Sequence, residues 1–158
     1  DSIDVSATGT NTVVFELNAV DNGTDTVTGF TTGTTFQSDV IAFLGNADLR
    51  GAGDTVDKLG NGDALGADTG FVIFTTALAN TEAATIKTAL EGLTGENTDD
   101  VFYALAGNGN NAALVRAEVN AVDDISTERL ADFTDIGDLT QFSPDNVTLP
   151  DPATTPLA

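Results

Sequence analysis

The sequence predicts a mainly β fold, a β-sandwich or roll-like set of antiparallel sheets with one α-helix packed on it. Three observations carry that prediction. Short runs rich in Val, Ile, Thr and Phe recur along the chain, separated by clusters of Gly, Asn and Asp that read as turns. A single convincing stretch, about 81–92, repeats apolar residues at helical three- and four-residue steps. With 158 residues, 41% of them hydrophobic, the chain is long enough for one domain with its own core, expected over 1–149.

Each element follows from its residues. Residues 12–17 (Thr-Val-Val-Phe-Glu-Leu) are β-branched and aromatic and read as a strand. Asp21-Asn22-Gly23 then supplies the positive φ of a tight turn. Residues 25–30 and 38–44 read as further strands, punctuated by Gly29 and Gly33. Residues 45–70 are rich in Gly, Asp and Asn and hold few large apolar side chains. A structureless loop of that length is unusual in a compact domain. The stretch is therefore expected to be held by something, and bound cations are the simplest candidate. Residues 71–76 (Phe-Val-Ile-Phe-Thr-Thr) form an apolar strand expected to be central, with both faces buried.

In the helix, Ala79, Ala83, Ile86, Leu90 and Leu93 make one apolar stripe. Asn80 or Thr81 is placed to cap its start, Lys87 and Glu91 form an i,i+4 pair, and Gly92 or Gly95 ends it. Residues 101–106 and 112–119 form a second hairpin around Gly107-Asn-Gly-Asn-Asn111, a turn suited to left-handed backbone. A short helical turn is predicted from Ser126, and Val147-Thr-Leu149 closes the domain as a last strand. The segment from Pro150 holds three of the four prolines and reads as an extended tail over 150–158.

Composition narrows the chemistry. There are 25 acidic and five basic residues, with no histidine and no cysteine. That removes the commonest general base, the thiol nucleophile and the usual zinc and copper ligands. With five scattered serines and no His, a Ser-His-Asp triad is impossible. A net charge of −20 repels nucleic acid and anionic membranes, since phosphate binding needs clustered Lys and Arg. The five basic residues (Arg50, Lys58, Lys87, Arg116, Arg129) are instead scattered. No apolar run approaches the roughly 20 residues of a membrane span. The absence of cysteine excludes a disulfide framework and suits a bacterial exoprotein or a cytosolic protein. Opening at Asp1 and lacking Met, the chain is expected to be an excised domain or a processed product. Its charge also demands screening, by bound Ca²⁺ or by bulk salt, so a halophile's protein is the competing reading.

Carboxylates beside Gly, Asn and Thr on tight turns are the ligands a hard cation needs. Asn22-Gly-Thr-Asp-Thr-Val-Thr-Gly-Phe30 keeps half of the calcium-binding nonapeptide Gly-Gly-x-Gly-x-Asp-x-apolar-x, with Gly23, Asp25 and Val27 on its positions. Gly51-Ala-Gly-Asp-Thr-Val56 is a poorer echo, and Asn61-Gly-Asp63-Ala-Leu-Gly-Ala-Asp68 is a third acidic run. The candidate metal ligands are Asp21, Asn22, Asp25, Asp39, Asp54, Asp57, Asp63 and Asp68, and the expected ion is Ca²⁺. The competing reading makes these runs ordinary Asx turns between strands. None keeps the spacing of an EF-hand loop. Pairs such as Asp99-Asp100 and Asp123-Asp124 are the accidents expected among so many carboxylates, so no catalytic residue is named. The Phe residues fall in strand patterns and read as core.

Three stretches together resemble the haemolysin-type (RTX) calcium-binding exoproteins. Thr12–Leu17, Asn22–Phe30 and Ser38–Phe43 are similar to the strands that close a calcium-binding β-roll. Val101–Leu105 and Ala113–Val119 are similar to the hairpin that follows in many such chains. Leu130-Ala-Asp-Phe-Thr-Asp-Ile-Gly-Asp-Leu-Thr and Asp145-Asn-Val-Thr-Leu149 are similar to their shared ending. The complete nonapeptide array is absent, and the proline-rich tail departs from the usual apolar finish. The resemblance implies the C-terminal region of a bacterial exoprotein exported by a type I machine, binding calcium and folding outside the cell. Its parent would be a surface-layer protein, an adhesin or an exoenzyme.

The function expected is thus a non-catalytic, calcium-stabilised module of a secreted or cell-surface bacterial protein, with neither nucleic-acid binding nor membrane insertion. A self-assembling surface-layer or filament protein is the first alternative, with self-association or cell-surface components as partners. A carbohydrate-binding adhesin module is the second, although the absence of Trp and the single Tyr103 weaken a sugar-stacking platform.

Overall fold

The computed structural model describes residues 1–16, 23–33, 38–44 and 49–149. The proline-rich tail lies outside these residues. Ten strands are described: β1 (Ser2–Asp4), β2 (Thr12–Phe15), β3 (Asp25–Thr28), β4 (Val40–Phe43), β5 (Thr55–Leu59), β6 (Thr69–Phe74), β7 (Val101–Gly107), β8 (Ala112–Ala121), β9 (Asp124–Thr134) and β10 (Val147–Thr148). Helix α1 (Ala83–Leu90) lies between β6 and β7, and short 3₁₀ turns over Leu139–Gln141 and Pro144–Asn146 lead into β10.

The first four strands alternate between two sheets. β1 and β3 are parallel neighbours in a seven-stranded sheet ordered β1-β3-β9-β8-β7-β6-β5, while β2 and β4 are parallel neighbours in a three-stranded sheet ordered β10-β4-β2. The chain therefore coils, each turn placing one strand in each sheet. β9 and β10 complete a third turn, because β9 pairs with β3 and β10 with β4, both in parallel. Strands β5 to β8 and the helix are inserted between the second and third turns. Short strands of period two bury alternate residues, as in β2, where Val13 and Phe15 face inward and Thr12 and Val14 outward.

The mainly β sandwich with one packed helix is what the sequence predicts; the strand direction is not. Six of the eight strand pairs are parallel, and only β7–β8 and β8–β9 are antiparallel. Coiling and crossover connections return the chain to the same end of a sheet, which makes consecutive strands of one sheet parallel. Residues 126–129 are a strand rather than a helical turn, since they pair along β8 from Val115 to Glu118, and cross-strand packing overrides local preference. The predicted hairpin is present at β7–β8, and Asn108 closes its turn by accepting from the N–H groups of Asn110 and Asn111.

Two hydrophobic layers result. Between the sheets, Val13, Phe15, Ile41 and Phe43 meet Val27, Phe71, Ile73, Tyr103, Leu114 and Phe133. An aromatic chain crosses this layer: Phe142 stacks on Phe30 at 5.8 Å, Phe30 meets Phe133 edge-on at 5.3 Å, and Phe43 stacks on Tyr103 at 4.1 Å. On the opposite face of the large sheet, Val72, Phe74, Phe102 and Val115 pack under Ile86, Leu90 and Leu93. β6 is thus buried on both faces over Thr69–Phe74, as expected of the apolar run at 71–76, and β7 is buried on both faces as well. In α1 the buried stripe narrows to Ile86 and Leu90, while Ala83 lies exposed. Asn80 accepts the N–H of Glu82 at 2.9 Å at the helix start.

Residues 49–70 are held by backbone packing and one buried cation. They include an edge strand, β5, which the sequence reading missed because Thr-Val-Asp-Lys-Leu carries only two apolar residues. Gly51, at φ +56°, lies so close to Ala67 and Asp68 that a Cβ would come within 2.3 Å of the Ala67 carbonyl oxygen. A Cβ on Gly70, in the bulge where β5 meets β6, would approach the Gly53 carbonyl oxygen to 2.3 Å. The glycines permit these close passes.

Tyr103 yields a test of the inter-sheet packing. Burial disfavours its phenolate and pushes its pKa from 10 up to about 12. Because the folded value lies above the unfolded one, this contribution is fully present below pH 10 and is lost as pH rises toward 12. Stability is expected to fall by on the order of 2 kcal/mol across that window, and Tyr103→Phe should remove that component. As the only tyrosine, it can be followed directly by phenolate absorbance.

Candidate functional site

The carboxylates named from the sequence fall at separate places. Asp21 and Asn22 lie outside the described residues. Asp25 opens β3 and is buried, its Oδ1 accepting from the terminal ammonium of Asp1 at 2.9 Å. Asp39 precedes β4 and is 1% exposed. Its Oδ1 accepts from the backbone N–H of Asn11 at 2.8 Å and from Asn11 Nδ2 at 2.9 Å, and its Oδ2 from the N–H of Thr31 at 2.7 Å. Its carbonyl in turn accepts from Asn146 Nδ2 at 2.8 Å. Asp39 is therefore a buried corner that links residues before β2, β4 and β10, its charge compensated by three N–H donors.

Four others line the 49–70 region, each turned to a local partner. Asp54 is exposed and accepts from the Thr55 hydroxyl at 3.3 Å. Asp57 is half-buried and accepts from the Thr69 hydroxyl. Asp63 accepts the Gly60 N–H at 2.6 Å, and Asp68 the Ala52 N–H at 2.9 Å. Asp63 closes its own turn through a local side-chain-to-backbone bond, whereas Asp68 bridges sixteen residues back to the turn at Ala52. The same chemistry acts elsewhere: hydrogen bonds from Ser6 hold the Asp4 carboxyl below the usual range, and those from Thr140 do so for Asp138. Among the described residues, no three acidic side chains converge as a group that could hold a metal ion.

Every basic side chain is engaged within the fold. Arg50 is nearly buried, pairs with Asp100, and donates to the carbonyls of Gly66 and Gly95 at 2.7 Å each. One guanidinium thus gathers the loops at 50, 66 and 95, using the planar fork that Lys lacks. Lys58 donates to the Thr140 carbonyl at 2.6 Å, and Arg116 pairs with Glu118 at 2.9 Å. Arg129 pairs with Asp132 at 2.8 Å and donates to the Thr81 carbonyl, tying the segment before α1 to β9. Lys87 lies against Glu91 and Asp124, whose carboxylates hold its ammonium above the ordinary lysine range.

Two features had no clear signal in the sequence. Glu96 is buried, with Oε1 3.4 Å from the N–H of Asp123. An apolar groove of about 540 Å³ lies beside α1, lined by Asn61, Phe74, Thr76, Leu78, Ala84, Thr85, Thr88 and Ala89. Both are assembled from segments distant in sequence.

Comparison with protein-family models, curated proteins and solved structures returned no match.

The two kinds of acidic position predict opposite outcomes. Asp39→Ala leaves the buried N–H groups of Asn11 and Thr31 without their acceptor and is expected to cost about 3 kcal/mol in urea unfolding. Asp54→Ala removes an exposed side chain and is expected to change stability by less than about 0.5 kcal/mol.

Proposed function

We propose that this chain is a non-catalytic, calcium-stabilised module of a secreted bacterial protein, serving its export and its folding outside the cell. The observation that supports this most is electrostatic. Twenty-five carboxylates face five basic side chains, and all five already have partners within the protein. Folding therefore concentrates negative charge that the protein itself does not neutralise. At low cytosolic Ca²⁺ that repulsion keeps the chain loose for export. At the millimolar Ca²⁺ outside, weak sites with Kd of about 10⁻⁴–10⁻³ M fill and favour the folded state. Asp54, Asp63 and Asp68 are exposed, so an ion reaches them without disrupting the core.

The test is a thermal melt in chelator against millimolar Ca²⁺, with Mg²⁺ and high-NaCl arms. At millimolar Ca²⁺, about 1–10 times such a Kd, filling a site adds about 0.4–1.4 kcal/mol, so Ca²⁺ is expected to raise Tm by about 1–6 °C for each site filled. An equal rise in NaCl would mean that the carboxylates need only screening and would sink the calcium reading.

A second reading, self-assembly in a surface layer or filament, is favoured by the two sheet ends. Among the described residues both sheets finish on the first turn of the coil, with β1 the edge strand of one and β2 the edge strand of the other, and Val14 of β2 is 47% exposed. Unpaired edges are templates for strand addition. On this reading sedimentation velocity in Ca²⁺ gives species larger than the monomer, whereas an export module stays monomeric.

A further inference from the structure

We propose that the groove between α1 and the carboxyl ends of β5 and β6 binds a small uncharged amphiphile, an alkyl chain bearing a hydroxyl-rich head. The site lies where open parallel sheets present ligands. β5, β6 and β7 are mutually parallel, Asn61 follows the end of β5, and Thr76 and Leu78 follow the end of β6. Its rim is fastened in place: the Asn61 N–H donates to the Thr76 hydroxyl at 3.2 Å, Thr75 N–H to the Leu59 carbonyl at 2.8 Å, and Leu78 N–H to the Gly107 carbonyl at 2.8 Å. A volume of about 540 Å³ is in the range of small-molecule pockets, which combine apolar walls with a few polar groups.

The lining chemistry selects the ligand. Phe74, Leu78, Ala84 and Ala89 provide an apolar bed, and Asn61 and the three threonines provide neutral donors and acceptors. Among the described residues, no ionisable side chain lines the groove, in a molecule of net charge −20. An anionic head is repelled by the surrounding field; a cationic head is drawn toward the molecule by that field, but salt screens the attraction within about 8 Å, and on the apolar bed the head loses hydration with no carboxylate to pair with among the described lining residues. An uncharged head meets neither cost. The apolar tail lies on Phe74 and Leu78, and the head reaches the hydroxyls and the Asn61 amide. This inference is independent of the calcium reading.

The test is an amide chemical-shift titration with octyl glucoside below its micelle concentration, beside octanoate, octylamine and glucose. Octyl glucoside is expected to give saturable shifts centred on Asn61, Thr76, Leu78 and residues 84–89. Octanoate and octylamine should bind about tenfold more weakly or worse, and glucose should give no saturable shifts. Ala84→Phe, at an exposed helix position, should fill the groove and abolish the response while leaving the remaining spectrum intact. Equal binding of either charged octyl compound would overturn the selectivity. Shifts centred instead on the exposed apolar residues Val14, Leu44 or Val122 would overturn the site in the native chain, whatever the variant does.

Discussion

Asp39 ties the coil together at the corner where the chain enters the small sheet. Three turns of chain converge there: Asn11 ahead of β2, Asp39 ahead of β4, and Asn146 ahead of β10. The strands of the small sheet are only two to four residues long. Such short ladders contribute little by themselves, and their register must be held from outside. A carboxylate that receives three N–H groups from two earlier and intermediate segments supplies that hold. Asn146 extends it, donating to the Asp39 carbonyl while accepting from the N–H groups of Gly33 and Ser143. The aromatic chain from Phe142 to Tyr103 then has two sheets in fixed register to pack between.

Arg50 has the corresponding role in the insertion. The 49–70 region has little apolar surface, so a hydrophobic layer alone does not organise it. A buried guanidinium with one carboxylate and two carbonyls joins three loops, and glycines at 51 and 70 let their backbones pass closely. Removing one member of such a buried pair strands the other charge, so its geometry matters more than its charge count. The acidic residues around it serve two purposes at once: some close turns through local hydrogen bonds, and all add to the negative field around the groove beside α1.

Much of the architecture was legible. β-branched and aromatic runs mark seven of the ten described strands, because side-chain shape and two-residue periodicity are local properties. The both-faces-buried run at β6 and the helical stripe ending in Ile86, Leu90 and Leu93 were legible for the same reason. β1 and β5 were not, since both are short edge strands whose polar residues are tolerated where one side faces water. β9 was misread at Ser126 because its strand character comes from its neighbours β8 and β3 rather than from its own residues. Among the acidic candidates the sequence could mark residue type and turn context, but burial separates Asp39 from Asp54, and burial depends on what the rest of the chain places around them.

By itself, then, the sequence determined a β-rich fold with one helix, an apolar interior built on Phe, a net charge of −20, and a composition without His or Cys. These follow from composition and short-range periodicity, which are properties of neighbouring residues. The tertiary structure alone decided that the strands coil in parallel, that Asp39 is buried and accepts from Asn11 and Thr31, and that Asn61, Thr76 and Ala84 share a groove. Parallel pairing, burial and grooves all join residues far apart in the chain, and the free energy that selects them arises only when distant segments meet.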